Sequence, residues 1–125
     1  MRMYKCTAAG GLAFKDRAAR YVPGETLEVT DPEPASKGAC GRGLHVSDSI
    51  VRAASYAPRL ERDIEFYEVE VAPEDVIASD SEKTRVRKLG VVRKITETEF
   101  GIVKGSVGDV ARYGDGYGDG DGYGA

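Results

Sequence analysis

The chain has 125 residues, 41% of them hydrophobic and 31% charged, with 18 basic and 21 acidic side chains and a formal net charge of -3. That is enough for one domain with an apolar core that needs no metal or disulfide staple. The balance of charge argues against a protein held permanently on nucleic acid or on an anionic membrane, so any basic surface must be local. No run approaches the roughly 18 apolar residues of a membrane span, and the opening MRMYKCTAAGG lacks the apolar stretch of a signal peptide. A cytoplasmic location without membrane contact is therefore expected, and in a reducing compartment Cys6 and Cys40 read as free thiols.

In chain order, MYKCTAA followed by GG and LAF reads as an opening strand or hairpin, and VPG at 22–24 turns the chain into a short strand, TLEVT. DPEPASKG, residues 31–38, holds two prolines and a glycine and reads as a surface connector. GLHVS then alternates, Leu44 and Val46 to one side, His45 and Ser47 to the other. Ser47 or Asp48 is placed to cap a helix on which Ile50, Ala53, Ala54 and Ala57 share a face and which Pro58 ends. That stripe is expected to land on Leu44, Val46 and the Tyr67 face of a sheet.

IEFYEVEV, residues 64–71, is the clearest strand, with Tyr67, Val69 and Val71 on a covered side and Phe66, Glu68 and Glu70 on a wet one. APEDVIAS continues it through a turn. KTRVRKLGVVRKI gives two strands, or one with a bulge at Gly90, and ITETEFGIVKG can add a last strand. The predicted fold class is α+β: a curved, mostly antiparallel sheet with one main helix packed on a face. The predicted division is a single domain over 1–100, a linker or terminal strand over 101–112, and a flexible Gly-Asp-Tyr tail over 113–125. The tail, YGDGYGDGDGYGA, offers no branched aliphatic side chain to offset its ordering entropy. Its Asp115, Asp119 and Asp121 account for the whole net charge.

His45 is the only imidazole, and histidine titrates near neutral pH, so it is either a proton carrier or a hydrogen-bonded structural side chain. Cys6, Cys40 and His45 lack the paired spacing of zinc motifs, and Asp119, Asp121 and Gly122 have no closing glutamate for a calcium loop, so no metal is expected. GRG at 41–43 fits no phosphate-loop pattern. Lys83, Arg85, Arg87, Lys88, Arg93 and Lys94 form a basic run that could grip phosphates or a partner. No aromatic residue interleaves with them, so a solvated face is the competing reading. The acidic tail could fold onto this ribbon and compete with an anionic partner.

GLHVSDS, the helix end ASYA, the strand FYEVEV, the turn PEDVIAS and the closing KTRVRKLGVVRKI occur in this order between about Lys37 and Ile95. On them the chain resembles a family of small phage and prophage proteins with a domain of unknown function, and a segment of phage early proteins of the rapid-lysis type. The resemblance implies an accessory protein in the host cytoplasm that binds a host protein or nucleic acid, with no cofactor and no assigned reaction. HVSDS and ETEF also resemble the S-x-S and E-x-E elements of the ADP-ribosyltransferase fold. That likeness implies NAD as co-substrate, Ser47 orienting the sugar, Glu97 and Glu99 as the paired glutamates with Glu99 stabilising the oxocarbenium charge, His45 touching the dinucleotide, and Arg2 or Tyr4 at the nicotinamide end. Its competitor is that Ser47 only caps a helix and the glutamates lie exposed on a polar strand.

Overall fold

A computed structural model of the chain describes residues 1–14, 19–58, 63–96 and 99. Seven strands form two antiparallel sheets: β1 (Arg2–Ala8), β2 (Thr26–Glu28), β3 (Leu44–Val46), β4 (Ile64–Glu70), β5 (Val76–Ser79), β6 (Thr84–Val86) and β7 (Lys88–Lys94). The first sheet has the order β1-β4-β7-β2, the second β3-β6-β5. Helical structure among the described residues comprises α1 (Ile50–Ala54), short 3-10 turns at Ala9–Gly11, Ala35–Cys40 and Pro73–Asp75, and the helical residue Glu99.

The alternation of β4 fixes the core. Val69 lies opposite Met3 of β1 and Val91 of β7, and Tyr67 lies opposite Lys5. Met3, Val69, Val71, Leu89 and Val91 pack with Leu44, Val46 and Val86 of the second sheet in one buried cluster. Each such side chain contributes about 1.5–3 kcal/mol on burial, well above the roughly 0–1 kcal/mol of an exposed ion pair, so this cluster rather than the charged surface holds the fold.

The sheets are joined at two places. The run from Thr84 to Lys94 serves β6 in one sheet and β7 in the other, with Arg87 at the changeover: its N–H donates to the Asp75 carbonyl at 2.8 Å, and its own carbonyl accepts from Val29 at 2.9 Å. The second join is a bridge between Tyr4 on the outer edge of β1 and Ser47 just after β3, with N–H to O distances of 2.8 and 2.9 Å. The strand break thus falls at Arg87. The bulge falls at Val92, where the β4–β7 register shifts, and Gly90 sits in regular pairing with Glu70 and Thr26.

Three further expectations are corrected. LAF forms no strand; Leu12 makes only an isolated bridge to Arg20. The helix cap is Ser49, whose Oγ accepts the Arg52 N–H at 3.2 Å, because Ser47 is already committed to the bridge with Tyr4. The helix stripe does meet a sheet, but on the other face: Ala53 and Ala54, flanked by Ile50 and Ala57, pack with Cys6, Ile64, Phe66 and Ile95. Cys6 pairs with Phe66 on the side of β4 away from Tyr67. That side reads as wet in the sequence because Glu68 and Glu70 share it. In the fold it is divided, apolar under α1 and charged beyond, where Glu68 binds Arg2 and Arg93, and Glu70 binds Arg2 and the N-terminus. The predicted last strand beyond Thr96, the linker and the tail lie outside the described residues, apart from Glu99.

Candidate binding cleft

β1 and β3 meet edge to edge only at the Tyr4–Ser47 bridge, and beside it opens a cleft of about 390 Å³. Its floor and sides come from Tyr4, Lys5 and Cys6 of β1, from His45 and Ser47, from Tyr21 and Phe14 of the first loop, from Cys40 to Gly43 of the connector, and from Tyr56 and Lys83. No carboxylate lines it among the described residues.

The connector wall is built by Arg85. Register places Arg85 opposite His45, on the side of β6 away from Val86, and the side chain is fully buried there. Its Nε donates to the Gly38 carbonyl at 2.8 Å, Nη1 to Glu33 at 2.5 Å and Arg42 at 2.8 Å, and Nη2 to Pro34 at 2.8 Å. A buried guanidinium is tolerable only when its donors are engaged, and here four backbone carbonyls from one loop engage them. Gly41 and Gly43 make room for it: a Cβ at 41 would lie 3.0 Å from Arg85 Cζ, and one at 43 would lie 2.8 Å from Arg85 Cγ. The GRG of the sequence is therefore an arginine cradle, and the connector is folded onto the second sheet with Ala39 buried.

His45 lies on the side of β3 opposite the buried Leu44 and Val46 and is half-buried. Its Nε2 is closed off from solvent and has no hydrogen-bond partner among the described residues. Burial lowers its pKa to about 4, aided by the positive charges of Lys5, Lys83 and Arg85 and opposed by a backbone hydrogen bond at Gly41. The ring is neutral at pH 7. A histidine depressed in the folded state gives stability that is complete above its unfolded pKa of about 6.5 and is lost as pH falls toward 4, because only the unfolded chain takes up the proton. Urea unfolding is expected to lose about 2 kcal/mol between pH 7 and 4.5, after discounting for partial solvent access. His45→Gln should flatten that window; an unchanged slope in the variant would reject the assignment.

Two lysines face the cleft, each against a ring. Lys5 Nζ lies 5.8 Å from the Tyr21 ring centre and donates to the His45 carbonyl at 2.9 Å, while Lys83 Nζ lies 5.6 Å from that of Tyr56. The Tyr56 hydroxyl donates to Glu82, and burial pushes its pKa up. Lys83 is thus the one member of the basic run that reaches the cleft. Arg85 is buried, Arg87 pairs with Asp75 at 2.6 Å, Arg93 with Glu68 at 2.7 Å and Glu99 at 3.0 Å, and Lys94 with Glu65 at 3.2 Å; Lys88 is exposed. These residues do not form one cationic ribbon, because the strand break at Arg87 and the acidic partners divide them.

Of the remaining predicted site residues, Ser47 is buried and lines the cleft. Glu99 is held by Arg93 and by the Thr96 backbone and hydroxyl, which keep its pKa down to about 2. Glu97 lies outside the described residues. Cys6 and Cys40 both line the cleft and are not joined in a disulfide, and no group of three His, Cys, Asp or Glu among the described residues is placed to hold a metal ion. No helix among the described residues is long and apolar enough to cross a membrane. The sequence does not single out Tyr21, Tyr56 or Lys5, since isolated side chains far apart in a chain carry no local signal of convergence.

Fold and cleft together define a small domain of two antiparallel sheets joined at Tyr4–Ser47, with a cationic, aromatic-lined recess beside that join. The chain belongs to the family described as a domain of unknown function (DUF7666), whose model matches residues 1–103 and so takes in every strand and all the cleft residues named above. Comparison with curated proteins and with solved structures gives no match for the chain.

Proposed function

We propose that this chain is a binding protein, a small accessory of the phage type, that engages nucleic acid at the cleft rather than along the basic strands. The observation carrying the reading is the coincidence of lysines and aromatic rings in one recess free of carboxylates among the described residues. Cations attract phosphate, rings stack on bases, and the basic run of β6 and β7 supplies only the first. A host protein is the less favoured partner. The large exposed apolar residues among the described ones, Met1, Val51, Tyr56 and Val92, are few and come from the N-terminus, from α1 and the turn after it, and from β7, where a docking surface calls for a contiguous apolar patch.

Fluorescence polarisation with a short single-stranded oligonucleotide tests the reading. Tyr56→Ala should weaken binding about tenfold, a stacking contact being worth about 1–3 kcal/mol, and Lys83→Met should weaken it and lower the salt dependence. The double variant Arg87→Ala, Lys88→Ala should bind as the parent does. Loss of binding in that variant alone would move the interface back to the strands, and absence of any oligonucleotide binding would reject the nucleic-acid reading.

The ADP-ribosyltransferase-like alternative draws on one specific placement: Ser47 and Tyr4, the latter one of the two candidates for its opening residue, are joined where both line the cleft. Against it, Glu99 is bound to Arg93, and no described glutamate lines the recess. Incubation with NAD decides between the two. Nicotinamide release abolished by Glu99→Gln would support the enzyme, and no release would remove it.

A further inference from the structure

We propose that the cleft is a mononucleotide site, taking one nucleoside monophosphate unit with its phosphate between Lys5 and Lys83 and its base against the aromatic wall. The inference rests on the binding reading above and narrows it to a ligand class.

Size sets the first limit. Ligand pockets run from about 300 to 1,000 Å³, and 390 Å³ lies near the bottom of that range, room for one nucleotide rather than a stretch of strand. Charge sets the second. Lys5 lies on β1, Arg42 on the loop before β3 and Lys83 in the turn before β6, and all three line the recess. No described carboxylate lines the recess, Glu82 standing beside it on the Tyr56 hydroxyl, and the three cations on the lining favour an anion. A low-dielectric wall strengthens that preference over what the same lysines would exert in open water.

The third limit is shape. Each lysine is backed by a tyrosine, Lys5 by Tyr21 and Lys83 by Tyr56, and Tyr4 and Phe14 complete an aromatic lining. A bare anion such as phosphate would use the charges and leave the rings of Tyr4, Phe14 and Tyr56 idle, Tyr21 being buried in the core, while an uncharged aromatic would do the reverse. A nucleoside monophosphate uses both. Its source is either a free nucleotide or the phosphorylated end of a strand, which present the same group.

Because the chain has a single histidine, the imidazole resonance of His45 reports the cleft without assignment work. Titration with AMP should shift that resonance saturably. Adenosine and inorganic phosphate, each carrying half of the recognised chemistry, should bind at least about tenfold more weakly, the loss expected when either the stacking or the ionic part is removed. Tyr56→Ala and Lys83→Met should each weaken AMP, and Tyr56→Phe, which keeps the ring, should restore it. A 5′-phosphorylated oligonucleotide binding more tightly than AMP would assign the source as a strand end; equal binding would assign the free nucleotide.

No shift with millimolar AMP, or a shift indifferent to Tyr56→Ala and Lys83→Met, overturns the proposal. If an oligonucleotide still binds in a Tyr56- and Lys83-dependent way while AMP does not, only the mononucleotide inference fails. If neither binds, the nucleic-acid reading falls with it.

Discussion

Replacing Arg85 by alanine is expected to cost the fold about 3–5 kcal/mol, the range for stripping one partner from a buried charged network. Alanine would strip the arginine donor from the carbonyls of Glu33 and Gly38, leave those of Pro34 and Arg42 with only the Lys37 and Glu33 amides, and open a void where the guanidinium lay. Lysine should fare little better, since a single ammonium cannot reach acceptors spread around a planar fork. Equilibrium urea unfolding measures both. A loss below about 1 kcal/mol for Arg85→Ala would show that the connector holds its place without the arginine. A double-mutant cycle adds a sharper test: Gly43→Ala crowds Arg85 in the parent, so its cost should shrink markedly once residue 85 is alanine.

Gly11→Ala is expected to destabilise by about 3 kcal/mol or more, for two reasons that add. Gly11 has φ of +78°, a region that side chains rarely adopt, and a Cβ there would overlap the Tyr21 carbonyl oxygen. The Tyr21 amide donates to the Gly11 carbonyl at 2.8 Å, and the Gly11 amide donates to Glu65, so neither chain segment is free to yield. Glu65 is itself fixed: burial would raise its pKa, but hydrogen bonds from Tyr67 and Lys94 outweigh that and hold it low. Gly90→Ala is the control. No atom lies within 4 Å of its added Cβ, and its stability should stay within about 0.5 kcal/mol of the parent. Equal losses at the two positions would mean that the Gly11 contact relaxes.

The contrast between these residues explains what the sequence discloses. β4 is legible because its alternation marks Tyr67, Val69 and Val71 as one covered side, and the corner at Ser47 is legible because a β-alternating run meets a helical stripe there. The side of the sheet that the helix covers is not, because Ile64 and Phe66 share a face with Glu68 and Glu70, and no local pattern says where along a strand a face changes from dry to wet. Arg85 is the larger miss. A cation on an alternating basic run reads as solvated, and only the two glycines of GRG, spaced to admit a guanidinium, hint that an arginine from elsewhere lies against them. His45 is placed correctly on the side opposite Leu44 and Val46, but the cleft before it comes from five separate segments that only the fold assembles.

The run from Thr84 to Lys94 belongs to both sheets at once, and its partners include the connector as well as β2, β3, β4 and β5. It is a common spine, tying the connector that Arg85 holds at the recess to the aliphatic interior around Leu89 and Val91 through one continuous backbone. A ligand that stiffened the recess would therefore brace the whole body of the protein, and damage far from the recess would blunt its grip without altering any residue that touches the guest.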